Sequence, residues 1–255
     1  MTSSFPPCFP LTSDRLERIT RAALKRNAER PALDWSLYDP TKLSLEDKRA
    51  LAFFLAQMHY TEATSPKNLA TLARATPISA LRSAYAAQIH DEHAHGEMLA
   101  RYLSLLDVDV PRVHWANVLA CEGGLWIQRD PVAGAVCVLA SIEHYATQLI
   151  EELLSKVHEP LLESMFRHIL KDEQRHKALA NEAISLLGEA GLGRGPVSRA
   201  RLVVGRKVVE VFFTKMAGPL LERHAGALGI STKGLYERAL DEMGAGIEAE
   251  LRSAA

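Results

Sequence analysis

The sequence predicts an all-α protein. Apolar residues recur at intervals of three and four along most of the 255-residue chain, which is the period of a helix buried on one face. The strict alternation of a half-buried β-strand is nearly absent. Helix-start signals precede the periodic stretches, namely Ser44 with Asp47 and Asp130 followed by Pro131. We therefore predict long helices that share one apolar core.

Residues 1–43 are predicted to form an N-terminal leader and one helix. Three prolines within the first ten residues indicate a flexible leader. A first helix is expected over about 13–29, ended by Pro31, and residues 34–42 are expected to form a loop.

Residues 44–188 are predicted to contain four long helices in an antiparallel bundle. The first carries the seam Leu51, Leu55, Met58 and Glu62. Because the ring of Pro66 would clash with the carbonyl of Glu62 four residues earlier, this helix is expected to end or kink after Glu62.

Three more helices are expected, of which the third helix of the bundle begins at Asp130 and Pro131 and the fourth opens near Pro160. Their apolar seams run from Leu81 to Leu106, from Val132 to Val157 and from Leu162 to Leu187. Steps of three and four alternate along each seam, as in antiparallel four-helix bundles. A long connection over 107–130 with a short helix separates the second helix from the third. Residues 189–255 are predicted to form additional C-terminal helices that pack on the bundle.

Composition excludes several classes of protein. The formal net charge is −1, and the three cysteines form no CxxC pair, so a nucleic-acid partner and a zinc ribbon are not expected. No apolar run approaches the roughly 18 residues of a membrane span. The N-terminus has no basic start and no apolar run typical of a signal peptide. We expect a cytoplasmic protein with no membrane partner.

One polar motif occurs twice in the chain. It consists of a Glu, then 28 residues, then Asp-Glu-x-x-His. The two copies are Glu62 with Asp91, Glu92 and His95, and Glu143 with Asp172, Glu173 and His176. The second copy follows the first by 81 residues, and the apolar seam keeps the same offset. We interpret the pattern as an internal duplication of a helix pair.

The duplicated motif predicts a site for two metal ions. Glu and His three residues apart lie on the same face of a helix, and both copies fall on core positions. Bare carboxylates buried there would each cost several kcal/mol without compensation. Four carboxylates balance two divalent cations, and neutral imidazoles leave that balance unchanged. The predicted ligands are Glu62, Glu92, His95, Glu143, Glu173 and His176.

Further residues are candidates for supporting roles. Because a metal-bound His usually donates its other N–H to a carboxylate, Asp91 is expected to orient His176, and Asp172 to orient His95. His168, five residues before Glu173, would become an extra ligand if the fourth helix contained a π-bulge. The predicted substrate pocket is lined by Tyr85, Leu139 and Phe166.

The doubled pattern over residues 44–188 resembles the soluble di-iron carboxylate proteins of the ferritin-like superfamily. Within that superfamily, chain length and the Asp-Glu-x-x-His form are most similar to the p-aminobenzoate N-oxygenase group. That group carries an additional histidine ligand four residues before the last glutamate, where this chain has Ile169. The resemblance implies a ferritin-like bundle with a long crossover.

The resemblance also implies a chemistry. The protein would be a di-iron oxidoreductase, a monooxygenase or oxidase, that uses O2 on a small organic substrate for N-oxygenation, hydroxylation or desaturation. Two iron ions would be the cofactor, with a Mn/Fe pair as the alternative. Because the sequence has no flavin, nicotinamide or iron–sulfur motif, an external reductase or ferredoxin would supply electrons.

Two other functions stay open at this point. One is iron storage or detoxification without an organic substrate, and the other is tRNA modification by a di-iron hydroxylase. A basic face near the pocket would favour the second, and the near-neutral total charge does not. A homodimer is compatible with the sequence, which leaves the oligomeric state, the substrate and the electron donor open.

Overall fold

The structure is a computed structural model that describes residues 9–242 except 233 and 236, and except the side chains of 216–218. The described residues form helices and connecting turns without a β-strand. One isolated bridge pairs Phe9 with Ile78. The predicted all-α class is therefore confirmed. No helix among the described residues is long and apolar enough to cross a lipid bilayer.

Seven long helical elements follow one another along the chain. The first four are α1 (Asp14–Ala28), α2 (Leu45–Ala75), α3 (Ser79–Leu105) and α4 (Trp115–Ile127). Element α5 runs without a break through Pro131–Ala133, the π-helical segment Gly134–Ala140 and Ser141–Lys156. Element α6 spans Pro160–Glu189. Element α7 comprises Pro196–Val211, the π-helical segment Phe212–Ala217 and Gly218–Ala225.

Short segments complete the description. Single 3-10 turns cover Trp35–Leu37, Pro40–Lys42 and Gly226–Leu228, so the predicted loop over 34–42 contains two of them. Within the C-terminal region that was predicted to contain additional helices, residues 237–242 are also helical. Residues 243–251 lie outside the described part.

The predicted helix starts are confirmed by their caps. The Ser44 hydroxyl accepts from the Asp47 amide, and the Asp47 carboxylate accepts from the Ser44 amide, which makes a capping box. Asp130 caps α5, and Pro131 occupies its first position. These caps satisfy backbone N–H groups that have no partner within the helix.

Helix α2 continues through Pro66. Of the two predicted outcomes, an end after Glu62 is therefore wrong, and a kink there stays a prediction. Pro66 cannot donate to the Glu62 carbonyl, but nearby hydroxyls bond other carbonyls of the same turns. Thr64 and Ser65 both donate to the carbonyl of Thr61. Beyond the proline, Leu72 is fully buried. Packing of this last part of α2 therefore outweighs the missing hydrogen bond.

The helices pack around two sequential pairs. Helices α2 and α3 are joined by a short turn and pack along their lengths, as do α5 and α6. Helix α3 also contacts α6, and α1 lies against both. Helix α4, within the long connection, covers α2 and the π-helical segment of α5, and α7 packs on α4 and α5.

The described residues form three apolar core clusters, and a polar layer lies between the two larger ones. Helix α3 shows the arrangement, because Tyr85 belongs to one cluster and Leu99 to the other. Glu92 and His95 lie between these residues along the helix and are also buried. Apolar packing on both sides therefore holds this polar layer away from water.

The junction of α2, α4 and α5 is tight at Gly134. A Cβ atom there would lie 2.8 Å from Leu72 Cδ1 and 2.9 Å from Gln128 Cα. At Gly123, in α4, a Cβ would meet nothing within 4 Å. The close approach of the π-helical segment to α2 therefore requires a glycine at position 134.

We predict that Gly134→Ala lowers the free energy of unfolding by about 1–3 kcal/mol, because the added methyl overpacks this junction. Gly123→Ala is the matched control. It should leave stability unchanged or raise it by up to about 1 kcal/mol, since alanine favours helix. Urea unfolding followed by circular dichroism measures both. Equal stability of the two variants would contradict the tight junction.

Candidate metal centre

The structure brings the six predicted ligands together in the polar layer. Helix α2 provides Glu62 and α5 provides Glu143. Helix α3 provides Glu92 and His95, and α6 provides Glu173 and His176. Each of the six is at most 7% exposed. Four helices therefore contribute to one buried cluster.

The cluster divides into two adjacent groups that can each hold a cation. Ligand atoms of Glu62, Glu92 and His95 lie within 4.8 Å of one another, and so do those of Glu92, Glu143 and His176. Glu92 thus belongs to both groups. Glu173 also reaches both, with Oε1 3.3 Å from His95 Nδ1 and Oε2 3.6 Å from His176 Nδ1. Two carboxylates therefore span two neighbouring cation positions.

The spacing of the ligand atoms fits metal coordination. His95 Nδ1 lies 3.5 Å from Glu62 Oε2 and 3.3 Å from Glu173 Oε1. Two atoms that are each about 2.1 Å from a cation and about 90–110° apart around it are about 3.0–3.4 Å from each other. These side chains are therefore spaced like neighbouring ligands of one ion.

Unpaired buried atoms point to the same conclusion. His95 Nδ1, His176 Nδ1 and Glu62 Oε2 are buried without a hydrogen-bond partner. Such atoms are rare in folded proteins because their desolvation is not offset. A cation beside His95 and Glu62 and a second cation beside His176 would satisfy all three, so the residues fit metal ions.

Two aspartates orient the histidines across the cluster. Asp91 Oδ2 lies 3.2 Å from His176 Nε2, and Asp172 Oδ2 lies 3.3 Å from His95 Nε2. Because an ionised carboxylate can only accept, each aspartate accepts a hydrogen bond from Nε2–H, and Nδ1 of each imidazole faces the glutamates. Helix α3 therefore orients a ligand of α6, and α6 orients a ligand of α3.

Three arginines surround these aspartates. Arg30 bonds Asp91 and donates to Asp172 Oδ2 at 2.6 Å. Arg175 donates to Asp91 Oδ2 at 2.6 Å and to Asp172 Oδ1 at 3.0 Å. Arg26 donates to Asp172 Oδ1 at 3.2 Å. Both aspartates are fully buried, so the arginines supply the charge that permits this burial.

None of the three arginines was predicted to take part in the site, because the repeated motif contains only Glu, Asp and His. Arg26 belongs to α1, and Arg30 follows its end. Between them, Asn27 donates to the Ala87 carbonyl of α3 at 3.0 Å. Arg175 lies inside the second motif copy, where the first copy has Ala94. This difference between the copies could have identified Arg175 from the sequence. Nothing in the sequence around Arg26 and Arg30 indicates that they reach the site.

The environment keeps the two aspartates ionised. Burial alone would raise the pKa of Asp172, but the hydrogen bond with His95 and the charges of His95, Arg175 and Arg30 hold that pKa far below its ordinary value. The pKa of Asp91 is also lowered, because contacts with His176 and Arg175 outweigh its burial.

Glu92, Glu143 and the two histidines instead hold their protons more tightly, whereas contacts with His176 outweigh burial and lower the pKa of Glu173 well below its ordinary value. Burial and the charge of Glu62 raise the pKa of Glu92 well above its ordinary value. Burial and the charge of Glu173 raise the pKa of Glu143 to about 8. Burial alone would lower the pKa of His95, yet the surrounding carboxylates raise it well above normal. Protons and metal cations therefore compete for the same atoms.

Gln88 holds two of the carboxylates in place. Its Nε2 donates to Glu92 Oε1 at 2.9 Å and to Glu143 Oε1 at 2.8 Å. Gln88 lies on the seam that was predicted from Leu81 to Leu106, but no role was predicted for it. The position that corresponds to it in the second copy is Ile169, so only one side of the centre has this amide.

The suggestion that His168 is an extra ligand is not supported by the geometry. It required a π-bulge in the fourth bundle helix, but α6 is α-helical from Pro160 to Glu189. His168 Nδ1 instead lies 2.8 Å from the Ser164 carbonyl in the preceding turn. The described π-helical segments lie in α5, where one ends three residues before Glu143, and in α7.

A cavity of about 160 Å³ adjoins the centre. All four ligand glutamates line it, and most of its wall is apolar. Leu139 lines the cavity, as predicted, but Tyr85 and Phe166 do not. Both are instead fully buried among apolar side chains, Tyr85 in one apolar cluster and Phe166 in another.

Comparisons with known proteins leave the chain without an assigned family. No model of a known protein family matches the sequence, and no curated protein sequence matches it. The interpretation of function therefore rests on the helical fold, the buried Glu and His side chains, and the adjoining cavity.

We predict that Arg30→Gln weakens metal binding by about tenfold or more, because loss of the groups that support ligand histidines commonly lowers metal affinity by this factor. Asp91 and Asp172 would lose a shared partner, and both imidazoles would be held less firmly. Competition with a chromophoric chelator measures the affinity. Arg18→Gln, at an exposed position of α1, is the control. Unchanged affinity in a folded Arg30 variant would contradict this role.

We predict that metal affinity rises with pH toward the Glu143 pKa of about 8. Below that pKa, Glu143 holds a proton that the metal must displace, so affinity should fall about tenfold per pH unit for each proton displaced. Calorimetry in buffers of different ionisation enthalpy counts the released protons. Glu143→Gln should release fewer. Affinity that does not change between about pH 6 and pH 8 would refute the competition.

Proposed function

We propose that this chain is a ferritin-like di-iron carboxylate protein that uses dioxygen to oxidise a small organic molecule. One observation carries the proposal. Four buried glutamates and two buried histidines form two adjacent cation positions, and an apolar cavity opens onto the same glutamates. The candidate metal ligands therefore form part of the wall of a cavity that is large enough for a small substrate.

The helix arrangement supports the ferritin-like part of the proposal. Helices α2 and α5 each contribute one Glu, and α3 and α6 each contribute a Glu-x-x-His pair. This division of ligands is characteristic of ferritin-like di-metal carboxylate proteins. The long connection that contains α4, between α3 and α5, corresponds to the crossover of that fold.

The donor set favours iron or manganese. Carboxylate oxygens predominate, and only two imidazole nitrogens are present, so softer metals such as copper are disfavoured. A bound iron pair would supply the electrons and open coordination positions for oxygen chemistry. The chain's own contribution is to orient the imidazoles through Asp91 and Asp172, fix Glu92 and Glu143 through Gln88, and exclude water.

The cavity favours an organic substrate over iron storage. Storage requires only a path for ions, whereas this space has walls of aliphatic and aromatic side chains, including Leu139, Val138 and Phe213. The described residues that line it include no Lys or Arg, which gives no support for an RNA substrate. A small molecule with an apolar body fits both properties.

The reducing equivalents would come from a separate protein. Oxygen chemistry at a di-iron centre needs electrons, and the sequence contains no flavin, nicotinamide or iron–sulfur motif. A reductase or ferredoxin remains our proposal for the partner.

We predict about two iron ions per chain after expression with added iron, as the ligand set requires. Reduction under argon followed by rapid mixing with oxygen should give a transient change in the visible spectrum. Elemental analysis and stopped-flow absorbance measure these properties.

His95→Ala should reduce the iron content to about one ion or fewer per chain, because it removes a ligand. His93→Ala, at an exposed position of the same helix, should retain both ions. A metal content near zero in the unaltered protein, or equal loss in both variants, would contradict the proposal.

A further inference from the structure

The cavity contains polar groups that the metal centre does not use. Five of the side chains that line it, none a metal ligand, have a buried polar atom without a hydrogen-bond partner. They are Gln57 Nε2, Asn68 Oδ1, Gln88 Oε1, Gln128 Oε1 and the Tyr145 hydroxyl. Each of these residues is at least nine-tenths buried. Such groups are destabilising unless something pairs with them.

Two of these groups lie where the end of α4 meets α2. Asn68 Oδ1 is 4.0 Å from the position that a Cβ on Gly124 would occupy, and the backbone of Gln128 bonds the Gly124 carbonyl. Both unpaired atoms there are amide oxygens, so this end of the cavity accepts hydrogen bonds. A ligand with an O–H or N–H group would satisfy them.

A further polar group, Gln57 Nε2, lies at a different level of the cavity. Gln57 precedes Asn68 by eleven residues on α2, a rise of about 16 Å along the helix. The Gln57 Oε1 atom already accepts from the His114 amide, which leaves Nε2 as a donor. Glu62 lies between these levels on the same helix. The metal ligands are thus flanked by hydrogen-bonding amides on either side.

Charge sets a further restriction. Among the described residues that line the cavity, the only charged side chains are the four glutamates, and no Lys, Arg or His is present. A bound anion would therefore meet no positively charged side chain in the cavity. The metal ions would not compensate its charge either, because the four glutamates already neutralise them. An anionic ligand is disfavoured for this reason.

We infer that the cavity binds a small uncharged molecule that has an apolar body and a hydroxyl, amino or amide group, whose hydrogen is accepted by Asn68 and Gln128. The volume of about 160 Å³ is close to that of the roughly 150 Å³ apolar cavity known to hold benzene. Binding of this ligand does not depend on the proposed function. Only its oxidation at the metal centre rests on that proposal.

Phenol, toluene and benzoate test the inference because they are similar in size but differ in polarity and charge. Binding is measured by calorimetry under argon on the protein as purified, with its metal content determined, so that oxidation does not enter the result. We expect phenol to bind about five- to tenfold more tightly than toluene, the effect of one hydrogen bond. Benzoate should not bind.

Variants test which residues cause the preference for phenol over toluene. Asn68→Leu should weaken phenol binding about five- to tenfold and leave toluene binding unchanged or improved. Asn181→Leu is the matched control, since Asn181 also has a buried unpaired Oδ1 but does not line the cavity. Gln128→Leu, just after α4, provides the same test if the Asn68 variant does not fold.

Equal binding of phenol and toluene would overturn the polar selection, and tight binding of benzoate would overturn the exclusion of anions. Failure of all three probes to bind would show that the cavity is not a ligand site. If the selective binding is observed but the metal-loaded protein does not react with oxygen, the proposed function fails and the ligand class stands.

Discussion

The buried negative charge at the centre of the molecule is the constraint on which the rest of the structure depends. Four ligand glutamates and two aspartates lie in one layer, each at most 7% exposed. Unpaired carboxylates in such a place would favour unfolding by several kcal/mol each. The surrounding chain therefore has to provide cations, protons or hydrogen-bond donors for every one of them.

The protein meets this requirement in two parts. On the outer side, Arg30 and Arg175 each contact both Asp91 and Asp172, so the aspartates stay charged and hold the imidazoles. On the inner side, the spacing of the glutamates and imidazole nitrogens suits divalent cations. Helix α1 is thereby connected to the centre, although it contributes no ligand, and its removal would expose the outer side of the site.

Much of this arrangement could be predicted from spacing along the chain. The all-α class followed from the three-and-four period, and the helix starts at Ser44 and Asp130 followed from local capping chemistry. The repeated motif indicated which Glu and His residues share a helix face, because that depends only on helical geometry.

Contacts between distant segments could not be predicted in the same way. Nothing near Arg30 in the sequence indicates that it meets Asp91 and Asp172, since this pairing depends on how α1 packs. The continuation of α2 through Pro66 required tertiary packing to outweigh a local rule. Likewise, Tyr85 and Phe166 occupy seam positions like Leu139, and only the packing shows that they lie away from the cavity.

Anomalous diffraction from crystals of the iron-loaded protein, recorded at the iron absorption edge, tests the central claim most directly. We expect two peaks in the polar layer, one near His95 and one near His176, with Glu92 and Glu173 between them. Absence of iron from this layer, or peaks only at surface sites, would contradict the assignment of these buried side chains as metal ligands.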